Sequence, residues 1–127
     1  MPLHYRSDNK PVVEFEPRLE ISPFTLFRRL REEQDLLLVD VRPEPSGLTL
    51  LGAIRLPDPD WQPPEDQDVL LFDNDGTTAV TIAQRLQSQG HPAVRALFGG
   101  LLLYEFSLDP EVVGEGTFLV PLDKTSL

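Results

Sequence analysis

Two apolar runs, "LLLVDV" at 36–41, interrupted by Asp40 alone, and "VLLF" at 69–72, constrain this chain more than any other feature. A strand with one wet face alternates apolar and polar residues, so a run that stays apolar at successive positions belongs to a strand covered on both faces. Such strands sit inside parallel sheets, and parallel neighbours need crossover connections that usually carry a helix. The sequence supplies those helices. Ser22-Pro23 offers a capping hydroxyl followed by proline at the first helical position, where its missing N–H is harmless. Phe24, Phe27 and Leu30 then recur every three residues with Leu26 at the flank, opposite Arg28, Arg29, Arg31 and Glu32, which predicts an amphipathic helix ending near Gln34. A second helix places Ala79, Ile82, Ala83 and Leu86 on one face and Gln84, Arg85, Gln87 and Gln89 on the other, with Gly90 as its stop.

Shorter strands are expected at "RLEIS", "GAIRLP" and "AVRAL", with a tight turn at Gly99-Gly100 and a short apolar helix at "LLLYEF". The alternation implies an α/β fold: a mainly parallel central sheet flanked by helices on both sides, in three layers, with "LLLVDV" central in the sheet. Residues 57–67 are proline-rich and acidic around Trp61 and read as an exposed connection. Residues 1–18 form an arm with one edge strand near "VVEF", 19–108 the domain, and 109–127 a C-terminal extension in which "TFLVPL" can add an edge strand.

Charge narrows the function. The formal net charge is -10 over 127 residues, so the surface repels nucleic acid and anionic lipid. Partners are expected among proteins, basic or neutral, or as a second copy in a homodimer. The N-terminus lacks a signal-like apolar run, and no stretch approaches the ~20 apolar residues of a membrane span; a cytoplasmic protein is expected. There is no cysteine, which excludes disulfides, thiolate metal sites and any reaction passing through a protein thiol.

The residues most suited to function follow "VLLF". Asp73, Asn74, Asp75, Gly76, Thr77 and Thr78 form a loop between strand and helix, at the carboxyl end of a parallel strand, where ligands of such sheets bind. The order of landmarks, "IS" before a helix, then "LLLVDVR", "GAIRLP", the strand-loop-helix at 73 and "LFGG" before an apolar helix, resembles a single rhodanese-like domain. The resemblance runs from Leu19 to Phe106, about two thirds of the chain. It implies that sulfur-transferring relatives carry a persulfide on a cysteine at the first position of this loop, which is Asp73 here. A carboxylate neither attacks sulfane sulfur nor holds it in an S–S bond, so no sulfurtransferase activity is expected. The family's cradle of backbone N–H groups is usually joined by basic side chains. Here Asn74, Asp75, Thr77 and Thr78 replace them, and the cradle is expected to be either filled by its own carboxylates or empty. The segment "LTLLGA" also departs from the family's glycine-histidine-isoleucine-proline pattern.

A second reading competes. Asp-x-Asp-Gly-Thr resembles the first motif of haloacid-dehalogenase-type phosphohydrolases, which implies Asp73 as nucleophile and Asp75 as acid and base beside Mg2+. That family needs a later hydroxyl residue, a lysine and an acidic pair, yet the only downstream lysine is Lys124 and no adjacent acidic pair follows Asp75. The expected function is therefore a catalytically inactive rhodanese-like domain acting as a protein-binding or regulatory module. No cofactor or metal is expected, since an acidic turn is ordinarily just solvated and His4 and His91 lack ligand spacing. Asp40 and Arg42 are expected to brace a loop as an ion pair, and Thr77 and Thr78 to cap the helix. The "LLLYEF" helix beside the loop, through Tyr104, and Trp61 are the candidate partner surface.

Overall fold

In the computed structural model, which describes residues 15–122 and the backbone of His4–Tyr5 and Pro11–Val12, the two apolar runs lie side by side. The elements run β1 (His4–Tyr5), β2 (Pro11–Val12), β3 (Glu20–Ile21), α1 (Pro23–Arg31), β4 (Leu37–Asp40), β5 (Leu48–Leu50), β6 (Ile54–Arg55), β7 (Val69–Phe72), α2 (Thr77–Ser88), β8 (Val94–Leu97), α3 (Gly100–Ser107), α4 (Pro110–Val113) and β9 (Leu119–Pro121). β3, β8, β7, β4 and β6 form one sheet in that order, with every pairing parallel. β4 pairs with β7 from Leu37 opposite Val69 to Asp40 opposite Phe72. β4 is internal, as its apolar run requires, but β7 holds the middle.

The period of two along each strand divides the core between two faces. Leu38, Leu70, Phe72 and Leu97 point to one side and meet Leu26 and Phe27 of α1 and Leu101 and Tyr104 of α3. Val39, Val69, Leu71, Val94 and Ala96 point to the other and meet Ala79, Ala83 and Leu86 of α2. This is the three-layer α/β/α arrangement. Each fully covered leucine or phenylalanine contributes on the order of 1.5–3 kcal/mol relative to exposure.

Ser22 caps α1 as expected, its Oγ accepting from Thr25 N at 3.2 Å. The buried face differs from the expected one. Phe24 is 61% exposed, whereas Pro23, Leu26 and Phe27 are buried and Leu30 packs against them. The stripe at 23, 26, 27 and 30 follows the 3.6-residue period more closely than 24, 27 and 30. The helix also stops at Arg31 rather than near Gln34.

The segment after Asp109 returns to the domain. β9 pairs antiparallel with β5, Leu48 opposite Pro121 through Leu50 opposite Leu119, as a two-stranded sheet. Phe118 and Leu119 pack against the α1/α3 face. At the other end, β1 and β2 pair antiparallel, and Phe15 meets Phe98 edge-on with ring centroids 5.4 Å apart. The remainder of the expected "VVEF" strand, Val13 and Glu14, lies outside the described residues, as do Lys124 and the side chain of His4. No helix among the described residues is long and apolar enough to cross a membrane.

Candidate functional site

β7 ends at Phe72, and the next side chain turns back into the loop that follows. Asp73 Oδ1 accepts from Gly76 N at 2.6 Å, and Oδ2 accepts from Thr78 N at 2.8 Å and Ala79 N at 3.1 Å. The first amides of a helix have no partner within it and carry its positive end. Here a carboxylate of the same loop satisfies them, and it is only 5% exposed. The cradle is filled by its own chain, the first of the two expected outcomes. The threonine caps are corrected accordingly. Gly76, at φ 91°, occupies the N-cap position with no side-chain bond of its own, and Asp73 from upstream does the capping. Thr77 Oγ1 instead donates to Asp75 Oδ1 at 2.7 Å, and Thr77 N to the same oxygen at 3.0 Å. The backbone bond, with the hydroxyl second, holds the Asp75 carboxyl below its ordinary range.

Long-range contacts fix the loop from two sides. Arg42 Nη2 and Nε clasp Asp40, with Nη2 to Oδ2 at 2.7 Å, and both side chains are buried. The remaining donors reach Ser46 O at 3.0 Å, Leu48 O at 2.9 Å and Asn74 Oδ1 at 3.1 Å. The expected bracing pair is present, and it also binds the candidate loop. From the other side, Leu101 N donates to Asp73 O at 2.8 Å and Leu102 N to Asn74 O at 3.0 Å. This approach requires glycine: a Cβ on Gly100 would lie 2.4 Å from the Asn74 carbonyl, and its φ of +67° is one that other residues rarely adopt.

A cleft of about 420 Å³ opens above the loop, lined by Arg42, Glu44, Asn74, Asp75, Thr77 and Thr78 among others. Its chemistry is weak. Arg42 already has its carboxylate and carbonyl partners, the oxygens of Asp73 face the backbone, and the accessible charges at the mouth are Glu44 and Asp75. Nothing here supplies a thiolate, and an anionic donor meets carboxylates. Asp73 and Asp75 are brought into one loop, but each is engaged with different backbone amides.

The candidate partner surface is corrected at one residue. Tyr104 is fully buried, its hydroxyl donating to Thr117 O at 2.6 Å; removal from water raises its phenol pKa. α3 turns Leu101 and Tyr104 inward, with Leu108 buried just past its end, and leaves Leu102 and Phe106 outside. Trp61 is half-buried against the α2 side of the sheet. His91 shares a hydrogen bond with Gln62 at 2.8 Å.

The sequence reading missed three parts of this site: the reach of Asp73 to Ala79, the link from Arg42 to Asn74, and the packing of Gly100 on Asn74. The paired glycines were the available signal for the last. The other two depend on contacts the order of residues does not display.

No protein-family model matches the sequence, and no curated protein matches it. Solved structures do. A rhodanese homologue from the extremely thermophilic bacterium Thermus thermophilus is 27% identical over 66% of this chain and 98% of its own, with a TM-score of 0.56. A rhodanese-related protein from Thermoplasma volcanium is 17% identical over 80% of this chain and 97% of its own, also at 0.56. A thiosulfate sulfurtransferase from Pseudomonas aeruginosa is 26% identical over 70% of this chain and 19% of its own, again at 0.56. Strand order, layers and these likenesses agree: the chain has the rhodanese-like fold, built without a cysteine.

Proposed function

We propose that the protein is a catalytically inactive rhodanese-like domain that serves as a protein-binding or regulatory module. One observation carries the reading: the Asp73 carboxylate occupies the backbone amides that a substrate anion would need. An enzyme that had merely exchanged its nucleophile would keep an open cradle. This loop has its negative charge covalently attached, and Arg42 and Gly100 hold it in that state. The phosphohydrolase reading has no comparable support, because a nucleophilic carboxylate needs an oxygen directed at solvent and substrate.

The test has two arms. Asp73→Cys removes the filling carboxylate and supplies a thiol, yet it is expected to show no sulfur transfer from thiosulfate to cyanide above background, since Glu44 and Asp75 remain at the mouth and Arg42 stays committed. Efficient turnover would sink the claim that the cradle has been remodelled. The unaltered protein is expected to leave aryl phosphates intact with Mg2+ present. Hydrolysis that disappears in the exposed-site variant Asp75→Asn would establish the enzyme instead.

A further inference from the structure

We infer that the outward face of α3 and α4, beside the filled loop, is a docking ridge for a basic amphipathic segment of a partner protein. The inference rests on the binding-module reading and names its surface and the partner's chemistry. Leu102 and Phe106 stand one turn apart on α3 and are 67% and 86% exposed, and Val112 of α4 is 83% exposed. Side chains four apart on a helix are neighbours on one face. Leu102 and Phe106 thus form an apolar pair on one face of α3, with Val112 exposed on the next helix, and exposed apolar side chains grouped in this way mark an interaction site where scattered ones do not. Leu102 is tied to the loop through its own amide, which donates to Asn74 O, so the ridge begins where the filled loop ends.

Charge selects the occupant. Glu105 lies at i+3 from Leu102 on α3, Asp109 caps α4 and Glu111 lies in its first turn, and all three are exposed. None of these carboxylates has a cationic partner among the described residues. Arg31 of α1, which packs against α3, is already engaged by Glu115 at 3.5 Å and lies over Phe27. A second copy is disfavoured, because an isologous contact would bring the same acidic rim together from both sides between chains of formal charge -10 each. Apolar side chains interleaved with lysine or arginine complement both the ridge and its rim.

The probe is a synthetic amphipathic peptide of about 18 leucines and lysines, long enough to be helical when bound. It is titrated into the full chain while backbone amide shifts are followed. A second peptide of identical composition with the pattern scrambled serves as control. Expected are saturable shifts confined to residues 101–113 and marked weakening as salt rises from about 0.05 M to about 0.5 M. Phe106→Ser, at an exposed position, is expected to weaken binding about ten-fold or more. Shifts spread over the acidic surface, equal binding of the scrambled peptide, or no effect of Phe106→Ser would overturn the inference. So would dilution-dependent shifts in the protein alone that vanish in Phe106→Ser, since these would assign the ridge to a second copy. None of these failures restores catalysis, whereas turnover in the assays above would overturn the inactive-domain reading whatever the peptide does.

Discussion

Replacing Asp73 by asparagine distinguishes a structural cap from a catalytic group by the sign of its effect on stability. Asparagine is nearly the same shape but carries one acceptor oxygen in place of two. If that oxygen keeps Thr78 N and Ala79 N, the new NH2 faces Gly76 N across what is now a 2.6 Å hydrogen bond, donor against donor. Turning the amide over loses two bonds instead of one. A buried hydrogen bond to a charged group contributes about 1.5–3 kcal/mol, and a carboxylate at the positive end of a helix adds about 0.3–1 kcal/mol. The expected loss is therefore about 2–4 kcal/mol. Urea denaturation followed by circular dichroism measures it, with the slope unchanged and the midpoint lowered. The expected fall in Tm is on the order of 10 °C. Active-site residues behave in the opposite way, because they are held in place at a cost to the fold and their replacement tends to stabilise. An Asp73→Asn variant as stable as the parent, or more stable, would refute the cap and reopen Asp73 as a reacting group.

Other outcomes follow from the same contacts. Gly100→Ala combines a positive-φ penalty of about 1–2 kcal/mol with a clash on the Asn74 backbone; a loss above about 3 kcal/mol in the same denaturation assay is expected. Tyr104→Phe leaves Thr117 O without its donor, with an expected cost of about 1–2 kcal/mol. The larger Tyr104→Ala cavity is expected to cost about 3–5 kcal/mol. Glu20 gives a pH dependence. Burial raises its carboxyl above the ordinary 4.5, partly offset by the bond from Glu16 N and reinforced by the Glu16 charge. The folded state therefore holds this proton to higher pH than the unfolded state. Its penalty is absent below the ordinary value and grows as pH rises through the folded one. Glu20→Gln is expected to raise Tm at neutral pH, with the gain closing as the pH falls below about 4. A gain that persisted in acid would point to another cause.

The sheet was legible because its signal is redundant. Every residue of "VLLF" is apolar and every one is buried, so no choice of face was needed. Helix faces were less so. "PFTLFRRL" holds apolar residues at 23, 24, 26, 27 and 30, which allows two overlapping stripes, and packing against the sheet selected the one that leaves Phe24 outside. "LLLYEF" is harder, since a helix apolar nearly all round names no inward side, and the acceptor that lets the Tyr104 hydroxyl be buried, Thr117 O, lies 13 residues away. The site loop was legible from its place after a buried strand and from the order of landmarks around it, and the carboxylates standing where basic side chains are usual narrowed its state to two outcomes. What chose between them is three-dimensional. Asp73 reaches Ala79 only because Gly76 adopts a left-handed turn, and Arg42 meets Asn74 across 32 positions of sequence.

The pairing of β5 with β9 has a consequence for how the domain assembles. All the groups that build the filled loop lie between Asp40 and Leu102, whereas the β5–β9 ladder joins positions about 70 residues apart, a closure costing roughly 4 kcal/mol of chain entropy. Contacts so distant in sequence form late. During synthesis the loop can be complete while Tyr104 still waits for the Thr117 carbonyl and Leu50 has no strand beside it. A nascent chain thus holds its finished site under an unfinished cover, and its exposure to proteases and chaperones is set by the arrival of the last strand rather than by the loop that defines the protein's chemistry.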